Sequence, residues 1–348
     1  MSTTNYVPIL KAKSGELRAL ATLDFNTKDN LIPLLELVPD DQTQGPSIST
    51  ERLTNAATQI AKGWGTSRPV RIDARLVQAP DIGALAFFME EARTQGVIAV
   101  PVVSSLVAEQ DRAAARDAHN IDRRGICIRD DALLVLGKKY GTSLEKLLND
   151  LHVDPSAVDV VLDLKDVPES EIEQRRSLAE ASLDAMPFMK EWRSITIAAS
   201  GFPVNLAHLG TGVNILPRTE WDIWSNLSVS RALGFADYAM TFPDLPKIDP
   251  SVMQPSASIR YSTPQANIIV RGRSVRSYRT GGFKQYNALS RTLTALPVFA
   301  GATFSWGDSF INQCAEGGNT GNLTTWRQVT TSHHLTLVVQ ELAKRSGT

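Results

Sequence analysis

Short apolar segments recur along this 348-residue chain at the spacing of strand–helix units, and most of them end in a charged residue. Most are followed by a stretch with helical periodicity or helix-forming composition. Eight such units predict an α/β fold, a (β/α)8 TIM-like barrel, with residues 1–348 forming a single domain. The predicted strands are residues 6–11, 31–37, 69–75, 97–103, 125–130, 158–165, 194–200 and 237–242.

The pattern changes in the last third of the chain. Residues 256–263 and 266–279 alternate between apolar and polar side chains on either side of Pro264, which predicts a β-hairpin or a lid. Earlier, residues 218–234 are predicted to form a helix. We expect residues 251–322 to elaborate the mouth of the barrel, with a final helix over 323–346.

The overall composition of the chain restricts the partners and the cellular location that we expect. The net charge of −1 predicts neither a nucleic-acid nor a membrane partner. The opening residues, MSTTNYVPIL, lack the basic and apolar regions of a secretory signal, and no apolar run is long enough to span a membrane. Cys127 and Cys314 are predicted to be reduced thiols, so we expect a cytoplasmic protein.

The charges at the strand ends predict where a site lies, because barrels of this class bind and react at the carboxyl ends of their strands. Asp73 and Arg75 are two residues apart and therefore face the same way on a strand, and Asp163 and Lys165 repeat that spacing. The strand-end charges are Lys11, Lys13, Glu36, Asp73, Arg75, Arg129, Asp130, Asp163 and Lys165.

Two interpretations of these charges stay open, since a charge inside an apolar strand is costly to bury unless it is paired. In the first, they form a functional mouth. Its candidate catalytic residues are Glu36, Asp73, Asp163 and Lys165, and its candidate ligand-binding residues are Lys11, Lys13, Arg75 and Arg129. In the second, they are ion pairs that plug the barrel end. We predict no metal and no cofactor, because no Cys/His cluster, P-loop or GxGxxG is present.

A basic segment without acids runs from Ser251 to Gly307. Its arginines are interleaved with aromatic residues such as Tyr261 and Tyr278, a combination that suits phosphates, nucleotides, nucleic acid or an acidic protein face. We add Arg271, Arg273 and Arg276 to the candidate ligand-binding residues. The alternative is a solvated basic hairpin that balances the acidic remainder of the chain.

Two further features are ambiguous. Asp308 follows Trp306-Gly307, so it is either a buried acid beside an indole, with a raised pKa, or part of a simple Gly-Asp turn. His333 and His334 are adjacent on a predicted helix and therefore point in different directions. One of them can enter a site, although a histidine of the core or the surface is the commoner case.

Four segments resemble the Beta protein family, which is named for the beta protein of a satellite coliphage: YVPILKAKSGELRAL, LIPLLEL, FSWGDSFI and TSHHLTLVVQELAK. The resemblance runs from residue 6 to residue 345. It implies a phage-associated or antiphage-defence role, with a protein partner encoded in the same phage or defence operon. It brings no established catalytic residues.

Two function hypotheses follow. The first is an accessory protein whose barrel mouth binds a partner protein or an anionic ligand. The second is an enzyme of the phosphodiesterase or nuclease type acting on a phosphorylated or nucleic-acid substrate. Mutual salt bridges among the strand-end charges would favour structural ion pairs, whereas a pocket open to solvent would favour an enzyme or a ligand receptor.

Overall fold

A closed barrel of eight parallel strands forms the body of the protein, in the order β1-β2-β3-β4-β5-β6-β7-β9. The predicted (β/α)8 barrel is therefore confirmed. Its strands are β1 (Tyr6–Lys11), β2 (Leu34–Glu36), β3 (Pro69–Asp73), β4 (Ile98–Val103), β5 (Ile126–Asp131), β6 (Val158–Asp166), β7 (Ser194–Ser200) and β9 (Gly234–Asp237).

This computed structural model describes residues 6–40, 45–79, 83–245, 254–277, 279 and 281–347. The opening residues 1–5, the first residues of the acid-free segment and Tyr278 lie outside these ranges. The predictions made for them are therefore not tested by the structure.

Helices fill the connections between strands and cover the outside of the barrel. Ser49 caps α3 as the sequence indicates, since its side chain accepts a hydrogen bond from the Arg52 amide. The helices are α1 (Ser14–Thr22), α2 (Phe25–Asp29), α3 (Thr50–Gly63), α4 (Ala84–Thr94), α5 (Glu109–Asp122), α6 (Ala132–Val135), α7 (Tyr140–Leu151), α8 (Ile172–Ala185), α9 (Thr219–Leu227), α10 (Gln285–Thr294), α11 (Trp306–Ala315) and α12 (Leu323–Ser346).

The eighth barrel strand lies earlier than predicted. It covers Gly234–Asp237, and the predicted helix over 218–234 ends at Leu227. The chain turns directly after Asp237, whose carboxylate accepts a hydrogen bond from the Ala239 amide at 3.1 Å. Ala239 and Met240 both have positive φ angles, 45° and 59°, which an extended strand cannot accommodate. The prediction of a strand over 237–242 was therefore wrong.

Side chains alternate along each strand, so every second one points into the barrel. A buried apolar cluster in this interior includes Val7, Ile9, Leu34, Val102, Cys127, Val161, Ala198 and Ala236. Burial raises the pKa of the Cys127 thiol to about 12, so this cysteine is an inert packing residue.

Ion pairs lie toward the amino ends of the strands. Asp159 on β6 accepts a hydrogen bond from Arg71 on β3 at 2.6 Å and two from Arg193, at 2.9 and 2.7 Å. These contacts close the amino-terminal end of the barrel.

A β-hairpin and two helices are inserted between β9 and the last barrel helix. The antiparallel strands β10 (Ser256–Ser262) and β11 (Asn267–Ser274) confirm the predicted hairpin, although the second strand ends before residue 279. Strand β8 (Gly212–Leu216), which comes from the connection after β7, pairs with β11 and was not predicted. Because these connections leave the carboxyl ends of β7 and β9, the sheet lies at that end of the barrel.

Helix α12 completes the barrel wall by packing against α1 and β1. Its amino end has a capping box in which Asn322 and Thr325 exchange hydrogen bonds. Among the helices in the described ranges, none is long and apolar enough to cross a membrane.

Candidate functional site

Three strand-end carboxylates converge on one guanidinium at the carboxyl end of the barrel. Arg129 on β5 donates to Asp163 through Nε and Nη2, at 2.9 and 2.8 Å. Its Nη1 donates to Glu36 and to Asp73, each at 2.9 Å. The sequence therefore identified residues that do meet in space, but Arg129 lies at their centre and not among the peripheral ligand contacts.

Tyr238 completes this cluster from the residue after β9. Its hydroxyl accepts a hydrogen bond from Arg129 Nη2 and donates to Asp163 Oδ2, both at 2.6 Å. Tyr238 was not among the predicted site residues. The predicted eighth strand includes Tyr238, whereas the observed strand ends at Asp237 and Tyr238 follows its carboxyl end.

The electrostatics of the cluster favour ionised carboxylates. Burial alone would raise the pKa of Asp163, but Arg129 and then Lys165 outweigh it and hold the pKa well below its usual range. The pKa of Asp73 is lowered in the same way, by Arg75 and Arg129 against the effect of burial. A carboxylate held in this state is a poor proton acceptor at neutral pH.

An outer ring of cations surrounds the buried carboxylates. Lys11 pairs with Glu36 and also donates to the Pro243 carbonyl at 2.7 Å. Arg75 pairs with Asp73 at 2.8 Å, and Lys165 lies 3.4 Å from Asp163. The side chains of Arg75 and Lys165 remain 28% and 30% exposed, whereas those of the carboxylates are 3% exposed or less. The charged groups that are exposed to solvent at the mouth are therefore cations.

This mouth cluster consists of Lys11, Glu36, Asp73, Arg75, Arg129, Asp163, Lys165 and Tyr238. Cations outnumber carboxylates in it by four to three. No group of acidic, histidine or cysteine side chains within the described ranges is arranged to hold a metal ion.

Two other strand-end charges lie outside the mouth cluster. Lys13 is exposed at the start of α1. Asp130 is buried and accepts hydrogen bonds from Ser104 at 2.6 Å and from Tyr140 at 3.1 Å. Asp130 therefore fixes the connection after β4.

A second buried network joins the barrel to the small sheet. His334 on α12 contacts Asp237 through Nε2 and Ser262 through Nδ1, both at 2.6 Å. Asp237 also accepts a hydrogen bond from the Tyr6 hydroxyl at 3.0 Å. All four side chains are buried, so this Ser–His–Asp chain of contacts ties β10, α12, β9 and β1 together.

His333 and Asp308 extend the network on the sheet side. Asp308 is buried in the first turn of α11 and is therefore not part of a Gly-Asp turn. It accepts hydrogen bonds from Tyr261 at 2.8 Å and Ser305 at 2.6 Å, and His333 contacts it at 2.9 Å. Trp306 stacks on Phe310. Both histidines are thus buried structural residues.

The arginines of the acid-free segment occupy three kinds of position. Arg271 donates to the Leu209 carbonyl at 2.6 Å, which ties β11 to the connection after β7. Arg260 lies 4.4 Å from the Phe202 ring centroid and donates to the Met240 carbonyl at 2.9 Å, and burial lowers its pKa to about 9. Arg273, near the end of β11, and Arg276 and Arg279, after it, are exposed. The predicted ligand-binding arginines are therefore not one cluster.

Comparison with known proteins identifies a family. A family model described as Beta protein matches residues 6–340, nearly the whole chain. No curated protein matches the chain.

Proposed function

Because the chain belongs to the Beta protein family, which suggests a phage-associated protein, we propose that it is an accessory protein whose barrel mouth binds an anionic group on a protein partner. The partner would be encoded in the same phage or defence operon. A cytoplasmic location is part of this proposal.

The observation that carries the proposal is the contact of Arg129 with all three buried carboxylates. Glu36, Asp73 and Asp163 are each paired with Arg129 and with a cation of the outer ring. None of them is left unpaired to serve as a base or nucleophile, which weakens the enzyme hypothesis. The exposed parts of Arg75 and Lys165 suit binding rather than chemistry.

Charge favours an anion as the bound group. Carboxylates and phosphates are the groups that guanidinium and ammonium side chains bind through charge-assisted hydrogen bonds. An acidic side chain or a phosphorylated residue on the partner would add the negative charge that the mouth cluster lacks.

A double variant tests the proposal. Arg75→Gln with Lys165→Gln removes the two exposed charges and leaves Arg129 and its carboxylates in place. We expect it to lose the partner and any nucleotide that co-purify with the wild-type protein, as identified by mass spectrometry. The control variant, Arg116→Gln with Lys190→Gln, removes the same charge from positions elsewhere on the chain. Equal retention by the two variants, or a wild-type protein that binds neither a partner nor an anion, would reject the proposal.

A second candidate function is supported by the exposure of Arg273 and Arg279 in a segment without acids. Exposed basic surfaces normally contain both signs of charge, so this segment suits the phosphates of nucleic acid. Neither arginine belongs to the mouth cluster, so this surface can act independently of that cluster.

A further inference from the structure

A separate cavity of about 250 Å³ lies on the rim of the barrel, between the connection that follows β4 and helix α7. Two cations, Arg112 and Lys146, and two hydroxyl residues, Ser105 and Ser143, line it together with apolar side chains. No acidic side chain of the described ranges is among its lining residues. The mouth cluster contributes no residue to it.

The wall formed by Ser105 is rigid because a strand-end carboxylate holds it. Asp130 accepts hydrogen bonds from the Ser105 amide, at 3.0 and 3.3 Å, and from the Ser104 hydroxyl, at 2.6 Å. The Val107 amide donates to the Ser104 carbonyl at 3.0 Å and closes the turn. The cavity is therefore preformed on this side.

Two polar atoms of the lining residues are buried without a partner. These are the hydroxyl of Ser105 and Nε of Arg112, neither of which has a hydrogen-bond partner in the described part of the chain. Such atoms are uncommon in folded proteins because each costs the desolvation of a polar group. The other guanidinium nitrogens of Arg112 pair with Glu109, at 3.1 Å, and with Asp150, which fixes the orientation of the side chain.

Lys146 adds an exposed positive charge to the cavity. Its side chain is exposed, and no ion pair to it occurs among the residues that the structure describes. An ammonium, a guanidinium and two hydroxyls are donors that match the oxygens of a phosphate. Leu147 and Val107 add an apolar surface beside them.

We propose that this cavity binds a small phosphomonoester, with its phosphate on Ser105, Arg112, Ser143 and Lys146 and its organic part on Leu147. The size agrees with a small ligand, because sites for drug-sized molecules occupy about 300–1,000 Å³. This site is independent of the anion proposed for the mouth.

Calorimetric titration with glycerol 3-phosphate and with inorganic phosphate, in a phosphate-free buffer, tests the proposal on the full chain. We expect saturable binding of the ester, weakened about tenfold or more by Lys146→Gln and also weakened by Ser105→Ala. Lys62→Gln, which removes the same charge from a position on α3, serves as the control and should leave binding unchanged.

The proposal is overturned by an absence of saturable binding at millimolar ester, by binding of inorganic phosphate alone, or by an equal loss in Lys62→Gln. The mouth variant Arg75→Gln with Lys165→Gln should bind the ester as the wild type does. A loss in that variant would assign the ester to the mouth and would also overturn the rim site.

Discussion

Arg129 donates two hydrogen bonds to Asp163, from Nε at 2.9 Å and from Nη2 at 2.8 Å, and both side chains are fully buried. The same guanidinium reaches Glu36 and Asp73 with its remaining nitrogen. One cation on β5 thus contacts carboxylates on β2, β3 and β6 at the carboxyl end of the barrel. The stability of the barrel mouth and the function proposed for it are therefore linked through Arg129.

Replacing Arg129 by methionine should destabilise the protein strongly. The change leaves three buried carboxylates without their central partner, and breaking a buried ion pair in this way costs about 3–5 kcal/mol. Urea unfolding at pH 7 measures the loss. Arg116→Met is the control, because Arg116 pairs with Asp117 at the surface and should change stability by no more than about 0.5 kcal/mol.

A combined variant separates charge from packing. Glu36→Gln, Asp73→Asn and Asp163→Asn, added to Arg129→Met, remove the uncompensated charges and should recover part of the lost stability. If Arg129→Met alone were as stable as Arg116→Met, the cluster would not hold the barrel mouth together.

Stability should fall in acid because the pKa values of Asp73 and Asp163 are lowered in the folded protein. The pKa of Asp163 in the folded state lies below the value of about 3.9 in the unfolded chain. A lowered pKa contributes stability that is fully present above pH 3.9 and is lost as the pH falls from there through the folded value. Each unit of lowering contributes about 1.4 kcal/mol.

Asp163→Asn isolates this contribution. The difference in unfolding free energy between pH 6 and pH 3 should be smaller in this variant than in the wild type. Asp184→Asn, at a carboxylate that is 70% exposed, should keep the wild-type dependence. An Asp163→Asn variant with the full wild-type acid dependence would show that Asp163 is not held in its ionised form.

The contact between His334 and Asp237 should couple the small sheet to the barrel. His334→Leu removes the hydrogen bonds to Asp237 and Ser262 and leaves polar groups buried without a partner, at a cost of about 1–3 kcal/mol. Thermal unfolding measures the loss. His208→Leu, at an exposed histidine, should leave the midpoint unchanged, and an equal effect of the two variants would contradict the assignment.

The exposed arginines make a distinct prediction for nucleic acid. If they contact phosphates, charge reversal at Arg273 and Arg276 should weaken binding to a short single-stranded oligonucleotide without changing the unfolding midpoint. The log–log slope of affinity against salt should fall by about one for each arginine that no longer neutralises a phosphate. A wild-type protein with no affinity at low salt would reject this function.

The sequence predicted the barrel because the signals for its strands are local. Apolar runs that end in charges, such as those ending at Lys11 and Glu36, need no knowledge of distant residues. The same-side spacing of Asp163 and Lys165 also placed both at the mouth. The central role of Arg129 could not be predicted, because it depends on the register of four strands brought together by closure.

Other features were missed for similar reasons. The sequence of β8 gives no strand signal by itself. The segment is a strand because it pairs with β11, which follows it by more than 50 residues along the chain. Helix α7, which was not predicted, contributes Ser143 and Lys146 to the rim cavity. Asp237 and His334 meet across the fold, and no spacing along the chain indicates such a contact.

The central claim, that the carboxylates at the barrel mouth are ionised partners of Arg129 and not catalytic groups, is tested most directly by NMR titration of aspartate labelled with ¹³C at the side-chain carboxyl. Asp163→Asn and Asp73→Asn assign the two signals. We predict that both carboxylates titrate below the ordinary value of about 3.9 and stay ionised at neutral pH. A pKa near neutrality for either one would contradict the account and favour a general acid or base at the barrel mouth.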